Sequence, residues 1–544
     1  MKKFIITALV AGAAASSLSA AIVKVGSAIT SDTIWSASNE YILQDIIFVN
    51  NNATLTIEPG TVIRGEPKTT GNNDAGTLVI TRSGNIDAEG APNLPIIFTT
   101  ATLDSDGDGE YSDESYDYST DIDYDAAIAG GAAFLDAAPK TTPLLPGKNF
   151  STTAADETHL TEEYRGLWGG VVILGSAPTS IVDISTVGDV ATATTKNSRS
   201  DLDDVFEGFI EGLDPAVTLT NDGVYGGTNP NDSSGTFKYV SIRHGGTVIG
   251  TDNELNGLTM GAVGHGTLIE YVEVYCNEDD GFEWFGGTVN TRFLVSLYNN
   301  DDSFDIDEGF QGLGQFWFSA QLDDGQNGDH GGEHDGTDAE FSSVNVASIN
   351  GIAQGTSDAG AGLPMAYVTV YNATYIGSGA VNPNTVTDSG KNNAFRIRDS
   401  WGGAYFNSVF TDFGDGFIRI DTDGQKRVDA GDVIFRSNII YNTAGGDNSY
   451  SNPVSGTEIT TYAFPTATAP STAANNNLFG TDPLNSHAVR TGIDPRASLA
   501  ASAAWDPEPT TATYFTTASY PGAFNPQVAT KWTDSWSVFG LQFD

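Results

Sequence analysis

Cysteine, methionine and basic residues are all scarce in this chain. Its 544 residues include one cysteine, three methionines and 24 lysines and arginines. With Cys276 alone, no internal disulfide can staple the fold, so stability must come from packing. The few basic residues face 70 aspartates and glutamates, giving a formal net charge of −46 and a pI of about 4.1. A surface of that sign repels nucleic acid and anionic lipid, which excludes both as partners. It also repels copies of itself until cations screen it, so divalent metal is the first partner to expect. Long helical patterns are missing as well, and no segment beyond the first twenty residues is apolar enough to span a bilayer. Hydrophobic residues still make up 39% of the chain, enough for a core, so the acidity does not signal disorder.

The N-terminus has the pattern of a leader. Lys2 and Lys3 precede an alanine-rich apolar stretch from Phe4 to Ala15, and Ser19-Ala20-Ala21 supplies small residues at cleavage spacing. This reads as a secretory signal peptide over residues 1–21, since a membrane anchor needs an apolar run of about 20 residues. No cysteine ends the apolar stretch, so a lipoprotein anchor is not indicated. The expected location is extracellular or on the cell surface.

The rest of the chain is rich in short strand-like segments broken by Gly and Asn. Tyr271-Val272-Glu273-Val274-Tyr275-Cys276-Asn277-Glu278-Asp279-Asp280-Gly281-Phe282 is echoed by Phe293 to Phe304, and the two Asp-Asp pairs, 279/280 and 301/302, lie 22 residues apart. A period near 22 with three short strands per turn predicts an all-β solenoid, a parallel β-helix in which each coil bonds to the next. Cys276 then falls among core residues. Residues 22–102 are expected to form the N-terminal cap and first coils, and 166–444 the main β-helix. An acidic loop insertion is expected over 103–165, and a loop-rich C-terminal capping region over 445–544.

Several stretches resemble a broad group of exported bacterial right-handed parallel β-helix proteins. They are Leu55 to Gly65, Pro95 to Thr99, Gly166 to Gly175 and, above all, Asp279 to Val289 with its Asp-Asp-Gly-Phe-Glu-Trp-Phe-Gly-Gly run. The closing Gly522-Ala523-Phe524 and Trp532 to Trp536 are also similar to that group. The resemblance implies a right-handed coil; it implies no single activity, because the group is functionally mixed.

Three groups of residues invite metal. Asp104-Ser105-Asp106-Gly107-Asp108-Gly109-Glu110 has carboxylates at the first, third and fifth places and Gly at the sixth, as in the first half of an EF-hand loop. The twelfth place is Ser115 in place of Glu, so an isolated calcium loop is the better reading, with the Glu110 carbonyl as a further ligand. Asp279, Asp280, Asp301 and Asp302 form the second group. One coil apart they stack about 4.8 Å from each other, and two unit charges at that distance repel by about 3 kcal/mol at an effective dielectric of 20. Solvent, a raised pKa or a bound cation must offset that repulsion, with Asp305, Asp307 and Glu308 beside the pairs to complete a site; alternatively each Asp caps a corner by accepting backbone N–H groups. Asp329-His330-Gly331-Gly332-Glu333-His334-Asp335 is the third; its glycines argue against a zinc-binding helix, and a polar surface loop is expected.

An enzyme is the natural competitor. Gly264-His265-Gly266, Asp279-Asp280 and Arg396-Ile397-Arg398 are similar to polygalacturonase elements, yet their order differs and the Asn-Thr-Asp element is missing. The size, leader and composition are similar to acidic surface-layer (S-layer) proteins of marine Gram-negative bacteria. The first expectation is therefore a structural protein that self-assembles into a calcium-stabilised lattice on an outer-membrane component. The second is a secreted or cell-surface carbohydrate-binding or polysaccharide-degrading β-helix acting on neutral glycans, with Trp284 and Trp401 either stacking on sugar rings or packing in the core or wall.

Overall fold

Apolar alternation interrupted every few residues by Gly, Asn or Asp winds the chain into stacked coils. The structure, a computed structural model, describes residues 21–68, 74–101, 103–104, 133–134, 164–180, 207–210, 213, 222–250, 253–322, 328–336, 343–349, 352–356, 364–379, 392–443, 464–465, 468–472, 475–486, 493–497 and 514–542. Three faces of parallel strands run along the coil stack. The first two share one 18-stranded sheet folded along its length, and the third is a separate 9-stranded sheet. The third face passes in order through Ile46–Val49, Thr77–Ile80, Val171–Leu174, Leu258–Gly261, Phe282–Phe285, Phe304–Asp307, Gly332–His334, Asn393–Ile397 and Gly416–Ile420. This is the expected right-handed parallel β-helix. The 22-residue period holds where Val272 pairs with Leu294 and Phe282 with Phe304. Insertions between strands lengthen it elsewhere, as where Asp87 pairs with Thr236.

The inside of the stack is a continuous apolar column. Ring centroids of Phe282 and Phe304 lie 5.6 Å apart, those of Trp284 and Trp317 5.1 Å, and those of Phe304 and Tyr375 5.2 Å. Phe282 sits over Phe304 one coil away because their strands are parallel and in register, while Trp284–Trp317 and Phe304–Tyr375 pack across the interior between two faces. Trp284 and Trp401 belong to this column and have no exposed surface, so both pack in the core and neither can stack on a sugar ring. Burial of an indole side chain in a register so well filled is the cheaper outcome, since it removes a large apolar area from water.

The first face turns into the second at residues held at positive φ. Tyr239, Tyr271, Phe293 and Phe316 occupy this place in successive coils with φ of 49°, 56°, 60° and 58°. Bulky residues adopt that conformation only at a cost of the order of 1–2 kcal/mol each, and here the bend turns their rings outward into a ladder. Centroid spacings along it are 4.4, 4.3 and 4.9 Å. In the next three coils Asn372, Asn407 and Ser437 sit at positive φ in this place instead.

The C-terminal segment lies along that flank. Trp532 and Trp536 pack edge-on against the ladder, and Phe524 and Phe539 pack on Phe318. The buried Glu273 carboxylate accepts the backbone N–H groups of Val538 and Phe539 and the Ser241 hydroxyl. Of the expected capping region, then, residues 514–542 cover a side of the coil stack, while Leu478–Phe479 adds a further parallel rung beside Ile439 and Ile440. Cys276 is buried at positive φ, but in this outer cluster under the C-terminal segment and not in the inner column. Residues 1–20, where a leader is expected, most of 103–165, and 445–463, 466–467, 473–474, 487–492, 498–513 and 543–544 lie outside the described residues. Within that insertion Leu103–Asp104 pairs antiparallel with Ala133–Phe134.

Candidate metal-binding cleft

The third face carries its polar residues outward in columns, because alternate residues of a strand point to opposite sides and the coils are in register. One column runs Thr259, Glu283, Asp305, Glu333, Arg396, Arg419 through successive strands. Beside it Phe285 pairs with Asp307. At the corner before these strands stand Asp279 and Asp280, then Asp301 and Asp302, then Asp329 and His330 in the next coil. The corner is tight: a Cβ on Gly281 would meet the Ser303 carbonyl at 2.8 Å, so the Asp-Asp-Gly run needs glycine there.

These residues enclose a cleft of about 320 Å3 lined by Asp279, Asp280, Glu283, Asp301, Asp302, Asp305, Asp307, Glu333 and Asp335, with Arg398 at one end and Ile210, Leu255, Asn256 and Phe285 completing the wall. Nine carboxylates thus meet one guanidinium. Asp280 and Asp302 are 6% and 3% exposed. Both also cap corners, because Asp302 N–H donates to Asp280 Oδ1 at 2.8 Å and His330 N–H donates to Asp302 Oδ1. The capping reading thus holds for Asp280 and Asp302, whose carboxylates each accept a backbone N–H while crowded by their acidic neighbours.

The electrostatics follow from that crowding. Burial pushes Asp280 well above the usual carboxylate range, and Asp279, Asp305 and Asp302 push it further. Asp302 and Asp305 are raised in the same way, by burial and then by Glu333 and other acids. Burial raises Asp335 too, against the opposing pull of Arg398. Glu333 is the exception. Burial would raise it, but His330, Arg398 and Arg396 outweigh that and bring it to about 2. Arg398 Nη2 lies 2.6 Å from Glu333 Oε1 and its Nε 2.5 Å from Asp335 Oδ1. Asp305 Oδ1, by contrast, is sealed from solvent without a hydrogen-bond partner among the described residues.

Three sets of ligand atoms lie within 4.8 Å of one another: Asp279, Asp280 and Asp301; Asp280, Glu283 and Asp305; and Asp302, His330 and Glu333. The first two offer oxygen alone, the donor set of a hard cation such as Ca2+. The structure thus brings Asp279, Asp280, Asp301 and Asp302 together with Asp305 and Asp307 beside them, as expected, and adds Glu283, Glu333 and Asp335. Asp104 is placed only as part of a two-residue strand, and Asp106, Asp108 and Glu110 lie outside the described residues. Glu308 turns away, accepting from the Tyr225 hydroxyl at 2.7 Å and from Thr179. His265 does not line the cleft. The 329–335 stretch is not a surface loop: Gly332–His334 is a buried strand, because its glycines fit between neighbouring coils. His334 points inward to the Tyr405 hydroxyl at 2.8 Å. The signal that marks the missed acids is the alternation Glu283-x-Phe285, Asp305-x-Asp307, Glu333-x-Asp335, Arg396-x-Arg398, which aligns only once the coil lengths are known.

Residues 27–110 and 211–482 match the family model of the pectate-lyase-like β-helix domain, and the chain belongs to that family. Neither a curated protein nor a solved structure matches it.

Proposed function

We propose that this chain is an exported structural protein of the cell surface that binds divalent cations, calcium first, and assembles with copies of itself into a calcium-stabilised S-layer lattice. The observation that carries the cation dependence is the cleft of nine carboxylates against one arginine. Stacked like charges directly opposite one another destabilise a sheet, and a hard cation with several converging oxygens removes that repulsion. The lattice rests on the formal net charge of −46, which keeps subunits apart until cations bridge them. Negative-stain electron microscopy of the purified full chain tests this. Ordered sheets should form with calcium and disperse on chelation; separate particles under both conditions would refute the lattice.

A second reading is favoured by one feature, the Arg396 and Arg398 guanidiniums beside the acids. Set among carboxylates that would repel an anionic sugar, such donors suit binding or cleavage of a neutral polysaccharide. Turnover or tight binding of a glycan panel, lost in Arg398→Ala, would support it over the lattice.

A further inference from the structure

The cleft does not offer one kind of ligand throughout. We propose that the buried His330 cluster behind its wall, which shares Asp302 and Glu333 with the cleft, is a second metal site that takes a borderline transition ion such as Zn2+, separate from the all-oxygen groups assigned to calcium. The proposal rests on reading the cleft as a cation site. His330 is fully buried, and its Nδ1 faces three carboxylate oxygens: Asp302 Oδ1 at 3.0 Å, Asp329 Oδ1 at 3.3 Å and Glu333 Oε2 at 3.8 Å. Ligands bound to tetrahedral zinc at about 2.0 Å stand about 3.3 Å from one another, so the spacings from Nδ1 are of the size of such a shell's edges, and the ligand atoms of Asp302, His330 and Glu333 lie within 4.8 Å of one another. The donor type decides between metals. A hard cation gains little from imidazole, whereas zinc prefers it.

A positive centre is missing from the neighbouring group as well: Asp305 Oδ1, beside Asp280 and Glu283 and on the strand paired with that of Glu333, is sealed from solvent and has no hydrogen-bond partner among the described residues. The supports of the site are also already in place. The Asp302 carboxylate is fixed by the His330 N–H, and Glu333 Oε1 is held by Arg396 at 3.1 Å and Arg398 at 2.6 Å. Arg396 also reaches Glu333 Oε2 at 3.3 Å, which orients that oxygen toward the imidazole. Partners of this kind restrain ligand rotamers and raise metal affinity.

The test uses the metal-stripped full chain, titrated separately with Zn2+ and Ca2+ by calorimetry. Wild type should bind Zn2+ saturably in the presence of excess Ca2+. His330→Gln should weaken Zn2+ binding by about tenfold or more and leave the Ca2+ titration unchanged, while Asp280→Asn should do the reverse. Equal Zn2+ binding in wild type and His330→Gln would overturn the proposal, as would full displacement of Zn2+ by Ca2+. Should His330→Gln fail to fold, X-ray absorption of the zinc-loaded wild type decides: imidazole scattering supports the site, and an oxygen-only shell overturns it. Zinc binding without any calcium binding would leave this site standing and sink the calcium reading instead.

Discussion

The cleft and the covered flank are outer surfaces of the same coils, built from the same kind of strand, yet they solve opposite problems. On the flank, outward residues such as Val295, Leu297 and Phe318 are apolar, so the strands there are buried on both sides. The chain's own end, with Trp532, Trp536 and Phe539, supplies the second layer. On the third face the outward residues at 279–335 are carboxylates, and Asp280 and Asp302 are nearly as buried as the flank's aromatics. The flank is completed by the chain; the cleft is left with charge that only protons or cations can neutralise. The inner column is much the same behind both. The two surfaces therefore differ in their outward columns, where a change of one residue per coil does not disturb the core.

The largest expected effect separates the two surfaces directly. Trp536→Ala should lower stability by about 3–5 kcal/mol, read as a fall in melting temperature, whereas Asp280→Asn should cause no comparable loss. A neutral Trp536→Ala would break the comparison, since the flank would then not depend on its cover. Next in size is calcium. At a concentration of 100 times Kd it should add about 2.7 kcal/mol, visible as a chelator-sensitive rise in melting temperature that shrinks in Asp280→Asn and Asp305→Asn.

The pH dependence sharpens the contrast further. Asp280, Asp302, Asp305 and Asp335 have raised folded-state pKa values. The folded cleft thus keeps protons that the unfolded chain has lost, and without metal stability should fall as pH rises through those values. His334 acts oppositely: burial lowers its pKa from 6.5 to about 4, so the folded chain loses stability as pH falls through that window. Comparing wild type with Asp280→Asn removes the His334 contribution. In chelator the variant should be the more stable at mildly alkaline pH, with the difference vanishing in acid; with calcium the order should reverse. Equal melting curves at every pH would show that Asp280 carries no buried charge cost. The smallest effect is expected away from both surfaces. Lys426 pairs with Asp423 across an exposed helix turn at 2.7 Å, and Lys426→Ala should change stability by less than about 0.5 kcal/mol.

Much of the fold was legible because a parallel solenoid repeats its own register. The echo of Tyr271–Phe282 in Phe293–Phe304 gave the coil length, and the Asp279/Asp280 and Asp301/Asp302 pairs fell on one corner as that length requires. Glu333 and Asp335 were hidden because the coil carrying them is lengthened, so Asp305 pairs with Glu333 at a separation of 28 residues and not 22. Their glycine-rich setting also mimicked a loop, where it serves close packing between coils. Trp284 and Trp401 stayed ambiguous for a related reason: in a strand with apolar residues on successive positions, sequence alone does not say which side faces inward. The C-terminal cover was unreadable because its contacts reach back more than two hundred residues, as from Val538 to Glu273.

The most direct test is a calcium titration of the metal-stripped wild type beside the double variant Asp280→Asn/Asp305→Asn, followed by calorimetry. The wild type should give a saturable heat that the double variant loses while its β-sheet circular dichroism stays the same. An identical binding isotherm in both would contradict the account, because the carboxylate stack would then hold no ion.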